Sequence, residues 1–199
     1  MAEESLSKNA TVSPAELHKG SGLAVEKRQP QWYIAECKPT KERVIRTMLK
    51  NAEYEVYVAS QAKERVYASR NRRTTETVVI PGKVFVRTDE SKLMGIMLGY
   101  SSVHRFMLNR AHKDRTYAFV PDDQMQQLQY VLGHAENPVY FTTEDLKVNQ
   151  RVRVMRGPLA SFEGWFHEKA HISYIVIKME MGTSHYIFTE VPLEDIQPL

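Results

Sequence analysis

The stretch Arg151-Val152-Arg153-Val154-Met155-Arg156-Gly157-Pro158-Leu159-Ala160-Ser161-Phe162-Glu163-Gly164-Trp165-Phe166 narrows the fold more than any other part of the chain. Alternating Arg and Val is the period of a strand buried on one face. Gly157-Pro158 ends it in a tight turn. Phe162 is expected under that turn, and Gly164 where the following strand bends. Two more short strands are predicted, over 174–179 and 186–191, with Trp165 and Phe166 in the core. Several short strands with turn signals in about 50 residues read as a small all-β barrel. Taken alone, the stretch is also compatible with a generic β-turn.

The remainder of the chain has a different texture. Residues 1–30 hold four positive and four negative charges with no sustained period, and read as a mostly disordered tail; one short helix near Pro14-Ala15-Glu16-Leu17 is the other reading. Gln31-Trp32-Tyr33-Ile34-Ala35-Glu36-Cys37 is a strand. A helix follows, with Thr40 as N-cap, Glu42 in the first turn and Val44, Met48, Leu49 and Ala52 as its apolar stripe. A strand over 55–59 comes next, then a long hairpin with a polar tip. The chain returns over 77–87, where Pro81-Gly82 marks a bend or an edge. A short helix over 90–98, a strand over 103–108 and a helix after Val120-Pro121 complete the pattern. The last helix presents Met125, Leu128 and Leu132 on one face and stops at Gly133. The expected organisation is a tail (1–30), an α+β domain with an antiparallel sheet flanked by helices (31–132), a linker (133–145) and an all-β domain (146–199).

Whole classes of chemistry fall away. The only cysteine, Cys37, permits no intramolecular disulfide and no Cys-x-x-Cys zinc site. The seven histidines form no metal pair on a helix, since His167 and His171 sit between two predicted strands. No phosphate-binding glycine loop and no nucleophile constellation is present, so no enzyme, cofactor or metal is expected. The longest apolar runs are about four residues against the roughly 20 that span a bilayer. The N-terminus lacks the apolar core of a secretion signal. The chain therefore reads as a soluble cytoplasmic monomer with no membrane partner.

The turn and its strands together, an alternating strand followed by Gly-Pro-x-x-x-Phe-x-Gly, resemble the KOW motif of NusG-type transcription factors, with Arg153, Gly157, Pro158, Phe162 and Gly164 in register. Trp32-Tyr33 looks like the opening of the NusG N-terminal (NGN) domain. Ile80-Pro81-Gly82-Lys83-Val84-Phe85-Val86 is similar to that domain's Phe-Pro-Gly-Tyr-Val-Leu-Val strand, and Val120-Pro121 resembles the Val-Pro before its last helix. The resemblance covers residues 31–199. Cys37-Lys38 and the short linker look more like the operon-specific RfaH and UpxY-like paralogs than like the housekeeping factor.

The resemblance implies an NGN domain followed by an SH3-like KOW barrel, and a transcription elongation and antitermination factor. Such a protein would lay an apolar patch on the β′ clamp helices of RNA polymerase, suppressing pausing or termination. Carried over by motif, the patch comprises Tyr33, Ile80 and Pro81 with Tyr57 beside it; the plainer reading is that these side chains fill the domain's own core. The family's Tyr after Pro-Gly is Lys83 here. Lys92-Leu93-Met94-Gly95 stands where paralogs touch the polymerase β subunit, so that contact does not transfer. Upstream or non-template DNA would be met by Lys63, Arg65, Arg70, Arg72 and Arg73 of the hairpin, with Lys38, Arg43 and Arg46 as further candidates. A solvated loop that keeps a sheet edge soluble is the alternative. Met181 and Gly182 occupy the KOW loop through which relatives reach the ribosome or Rho. The β-branched run 172–177 favours strands.

The formal charge of +3 is a sum of unlike parts: zero over 1–30, +1 over 31–60, +3 over 61–76, +4 over 77–120, −5 over 121–145 and zero over 146–199. A cationic first domain suits nucleic acid. The second domain has six charges of each sign, which speaks against the other functional reading, a ribosome- or RNA-associated KOW protein. A neutral barrel left free for protein partners is expected instead.

Overall fold

The computed structural model describes residues 29–66, 72–109 and 116–199. The expected tail lies almost wholly outside them. Strand β1 (Gln31–Glu36) is apolar on both faces, which suits a central position. It pairs antiparallel with β5 (Lys83–Thr88), β6 (Arg105–Phe106) and β7 (Phe119–Val120), and β5 also pairs with β2 (Glu55–Tyr57). Strand alternation then sorts the side chains. Tyr33, Ala35, Val84 and Val86 go to one face, with α1 (Glu42–Asn51) and α2 (Leu93–Gly99); Trp32, Ile34 and Phe85 go to the other, with α3 (Asp122–His134).

Several expectations are corrected in detail. Helix α1 begins at Glu42 after Lys41, and Thr40 sits at φ 79°, where it cannot cap. The helix buries Ile45 and Leu49, while Val44 is 48% exposed and Met48 39%. The expected strand over 77–87 is two strands: β4 (Arg72–Val78) ends before a turn, and β5 begins after it in a different sheet. The strand over 103–108 shrinks to β6. Helix α3 buries Met125, Leu128 and Leu132 as expected, adds Val131, and runs one residue past Gly133.

The C-terminal unit is a six-stranded antiparallel sheet, ordered β13 (Ile196–Pro198), β9 (Arg151–Val154), β10 (Glu163–Lys169), β11 (Ile172–Glu180), β12 (Ser184–Glu190) and β8 (Val139–Thr142). Its outermost strand β8 lies inside the expected linker, because Val139, Tyr140, Phe141 and Thr142 pair with β12. Nor is the unit free of the first domain. Trp32, Ile34, Phe85 and the buried face of α3 share one apolar core with Val152, Val154, Leu159, Phe162, Ile175 and Met179.

Candidate functional site

The expected polymerase patch is split by the fold. Tyr33 is 5% exposed and lies edge-on to Tyr117 at 6.5 Å, within the core between sheet and helices. Ile80 is fully buried, so of the Ile80-Pro81 pair only Pro81 is presented to solvent. The turn is responsible. Gly82, at φ 72°, donates its N–H to the buried Glu42 carboxylate at 2.6 Å and accepts from Cys37 N at 3.0 Å. A Cβ there would sit 3.0 Å from Cys37 O. Glycine is therefore required, and the pinned turn points Ile80 inward and Pro81 outward. Tyr57 is half-buried, 6.4 Å from the Phe85 ring; burial, and then nearby Glu76, push its phenol up to about 12.

Beside Pro81 lies a pocket of about 510 Å³ lined by Glu36, Cys37, Pro39, Lys83, His104 and Arg105. Glu36 joins Lys83, at 2.6 Å, to Arg105. Burial acts to raise the Glu36 pKa, but the two cations hold it below the ordinary carboxylate range. Burial raises Cys37 to about 11, so at neutral pH it is a packed thiol and not a nucleophile. Among the described residues no group of His, Cys, Asp and Glu could hold a metal ion.

The hairpin forms as a two-stranded ribbon of β3 (Ser60–Val66) and β4. Arg65 lies opposite Arg73, and Val66 opposite Arg72. Arg70 lies outside the described residues. Lys38 is exposed just after β1. Arg43 and Arg46 are otherwise occupied: the Glu76 carboxylate accepts from Arg46 at 2.9 Å and pairs with Arg43 at 3.4 Å, and Arg43 also donates to Glu76 O. Both hold the base of β4 against α1, and the Arg43 side chain stays half exposed.

The root of the hairpin carries a contact that sequence reading missed. Gln61, 8% exposed, donates from Nε2 to Ala135 O and Asn137 O, each at 2.9 Å, and its Oε1 accepts from Val139 N at 3.2 Å. A glutamine in a charged hairpin carries no sequence signal for such a role.

In the KOW segment Arg153 pairs with Glu163 at 2.5 Å, Gly157 makes the turn at φ 79°, and Pro158 is exposed. Gly164 is close-packed: a Cβ would lie 2.7 Å from Ile175 Cγ1. Phe162 is buried as expected, but its ring stacks at 5.7 Å on Tyr130 of α3, which makes the turn an inter-domain contact. Trp165 is only half-buried and carries Arg151 over its ring at 5.6 Å, outside the core expected for it; Phe166 packs partly buried against the core. The expected partner loop is seated on the first domain. Met181 is fully buried, and a Cβ on Gly182 would meet Leu108 O at 2.6 Å and Ala118 Cβ at 3.3 Å. Gln124 of α3 caps the loop by accepting from Glu180 N at 3.0 Å.

A family model described as transcription termination factor nusG matches residues 30–129. Among solved structures, one titled "Domain interaction in Thermotoga maritima NusG" aligns with TM-score 0.47 and 16% identity, covering 86% of this chain and 98% of that one. A "MjSpt4:Spt5 complex" in conformation A aligns with TM-score 0.28 and 12% identity over 84% of this chain and 97% of that one. No curated protein matches the chain.

Proposed function

This chain belongs to the NusG family of transcription factors, and on that premise we propose that it binds RNA polymerase through its first domain and acts in elongation and antitermination. The match over residues 30–129 carries this reading. The family's members are non-enzymatic, so the work is done by surfaces. Pro81, held outward on its pinned turn, and the half-buried Tyr57 are the parts of the expected patch left for the β′ clamp helices. Tyr33 and Ile80 support that surface from beneath. The cationic ribbon β3–β4 and Lys38 face upstream or non-template DNA. The C-terminal unit recruits a further partner, and a partner that grips Met181 must first lift its loop off Leu108 and Ala118. The likeness to RfaH and UpxY-like paralogs extends the reading to an operon-specific role.

The test is co-elution of the full chain with core RNA polymerase. A complex containing β′ is expected, and Pro81→Asp should weaken it about tenfold or more, as for a residue near the centre of an interface. Failure to bind β′ overturns the reading. Capture of ribosomal subunits in its place would move the function to the ribosome-associated alternative.

A further inference from the structure

Successive residues of a strand point to opposite faces, and at the root of β3 both faces are tied down. Ser60 Oγ donates to Glu76 at 2.5 Å, and Glu76 is held by Arg46, which fixes the ribbon to α1 of its own domain. Gln61 points the other way, to the chain between α3 and β8. Its carboxamide has two N–H donors and one carbonyl; both Nε2 bonds and the Oε1 bond go to backbone groups of residues 135–139. A single side chain thus fills the place of a neighbouring strand.

Those residues are in turn fastened to β12. Asn137 Nδ2 donates to Glu190 O at 3.1 Å, Thr189 Oγ1 donates to Pro138 O at 3.2 Å, and Val139 pairs with Thr189. At its other end β12 leads back to Gly182, seated on Leu108 and Ala118. The C-terminal sheet therefore meets the first domain at both ends of one strand. An isolated two-stranded ribbon is only marginally stable in water, so β3–β4 depends on what its root is anchored to.

We infer that Gln61 is a positioning residue that couples the hairpin to the docking of the C-terminal sheet. Lifting the sheet at Gly182 pulls residues 135–139 away from the carboxamide and loosens the hairpin root. By reciprocity, anything that orders the hairpin favours docking. The extension to a nucleic-acid ligand rests on the function proposed above; the mechanical coupling does not.

The experiment is a double-mutant cycle on the full chain, read by amide hydrogen exchange in β3 and β4. Gly182→Asn is the opening variant. Asparagine tolerates a left-handed φ better than most residues, while its Cβ meets Leu108 O at 2.6 Å. With Gln61 present, Gly182→Asn should speed hairpin exchange about tenfold. In a Gln61→Ala background, where exchange is already fast, it should add less than about twofold. Equal effects in the two backgrounds, or no effect in either, overturn the coupling. Gln61→Leu keeps the bulk without the hydrogen bonds and should behave as Gln61→Ala; coupling retained by Leu would mean that packing and not the carboxamide carries it, which also overturns the inference. A DNA duplex added to the wild type should protect residues 135–139, and Arg72→Ala with Arg73→Ala should abolish that protection. Lack of any DNA binding would sink the nucleic-acid reading and leave the exchange cycle to decide the coupling.

Discussion

The carboxylate of Glu76 gathers Ser60, Arg46 and Arg43 at the base of β4. Hydrogen bonds from Arg46 and then Ser60 lower its pKa below the ordinary 4.5, against the smaller opposing effect of burial. A carboxylate depressed in the folded state contributes stability that is complete above its unfolded pKa and is lost as pH falls through the folded value. Glu76→Gln should therefore flatten part of the loss of stability below about pH 4.5 and cost roughly 1 kcal/mol at pH 7, both read from urea titrations across pH. Glu42 works differently. It is 2% exposed and accepts from Gly82 N at 2.6 Å. Glu42→Ala orphans that N–H and should cost about 1–3 kcal/mol, with Glu42→Gln milder because it keeps an acceptor. Neither role was legible in the sequence, since a charge next to other charges gives no sign of which partner lies 30 or 40 residues away.

At the scale of elements, α1 shows how a correct helix can be read with its face only partly right: Leu49 of the expected stripe is buried, while Val44 and Met48 are exposed. Val44 and Met48 are four residues apart, and so are Ile45 and Leu49. Both pairs make a stripe on a helix. The sheet chose the second, and its reason is the neighbouring core of Tyr33, Val84 and Val86. Thermal melts should report the choice. Ile45→Ala is expected to cost about 2–5 kcal/mol, and Val44→Ala less than about 0.5 kcal/mol. The hairpin was legible as an element because its apolar content collapses between two strands. The pairing of its Glu76 with Arg43 and Arg46 of α1 was not. For the ribbon itself, replacing Arg72 and Arg73 with Ala should weaken DNA binding and reduce the salt dependence by roughly 0.7 log units for each lost single-strand phosphate contact. An unchanged slope in a salt titration would remove them from the interface.

Over the whole molecule, the main departure from expectation is the segment 133–145. Without a period it read as a linker, yet Val139 to Thr142 form the outer strand of the C-terminal sheet and Ala135 to Val139 rest on Gln61. A fragment of residues 136–199 should melt at a clearly higher temperature than one of residues 146–199, which leaves an edge of β12 unpaired. Equal melting temperatures would show that β8 adds nothing. The charge polarity acquires a structural counterpart as well. Asp122 of α3, from the acidic block, meets Arg87 of β5 at 3.0 Å within the first domain.

Local chemistry determined which elements exist. The 2.0 and 3.6 periods, the Gly157-Pro158 turn, the Pro81-Gly82 bend and the glycine at 164 are written in a few adjacent residues, and they also carried the family resemblance. Tertiary structure alone decided which apolar face each element buries, that Ile80 goes inward while Pro81 stays out, and that the C-terminal sheet packs on α3. Those outcomes depend on partners distant in the chain. A side chain that can satisfy its hydrogen bonds or bury its surface in more than one way is assigned only when a neighbour arrives.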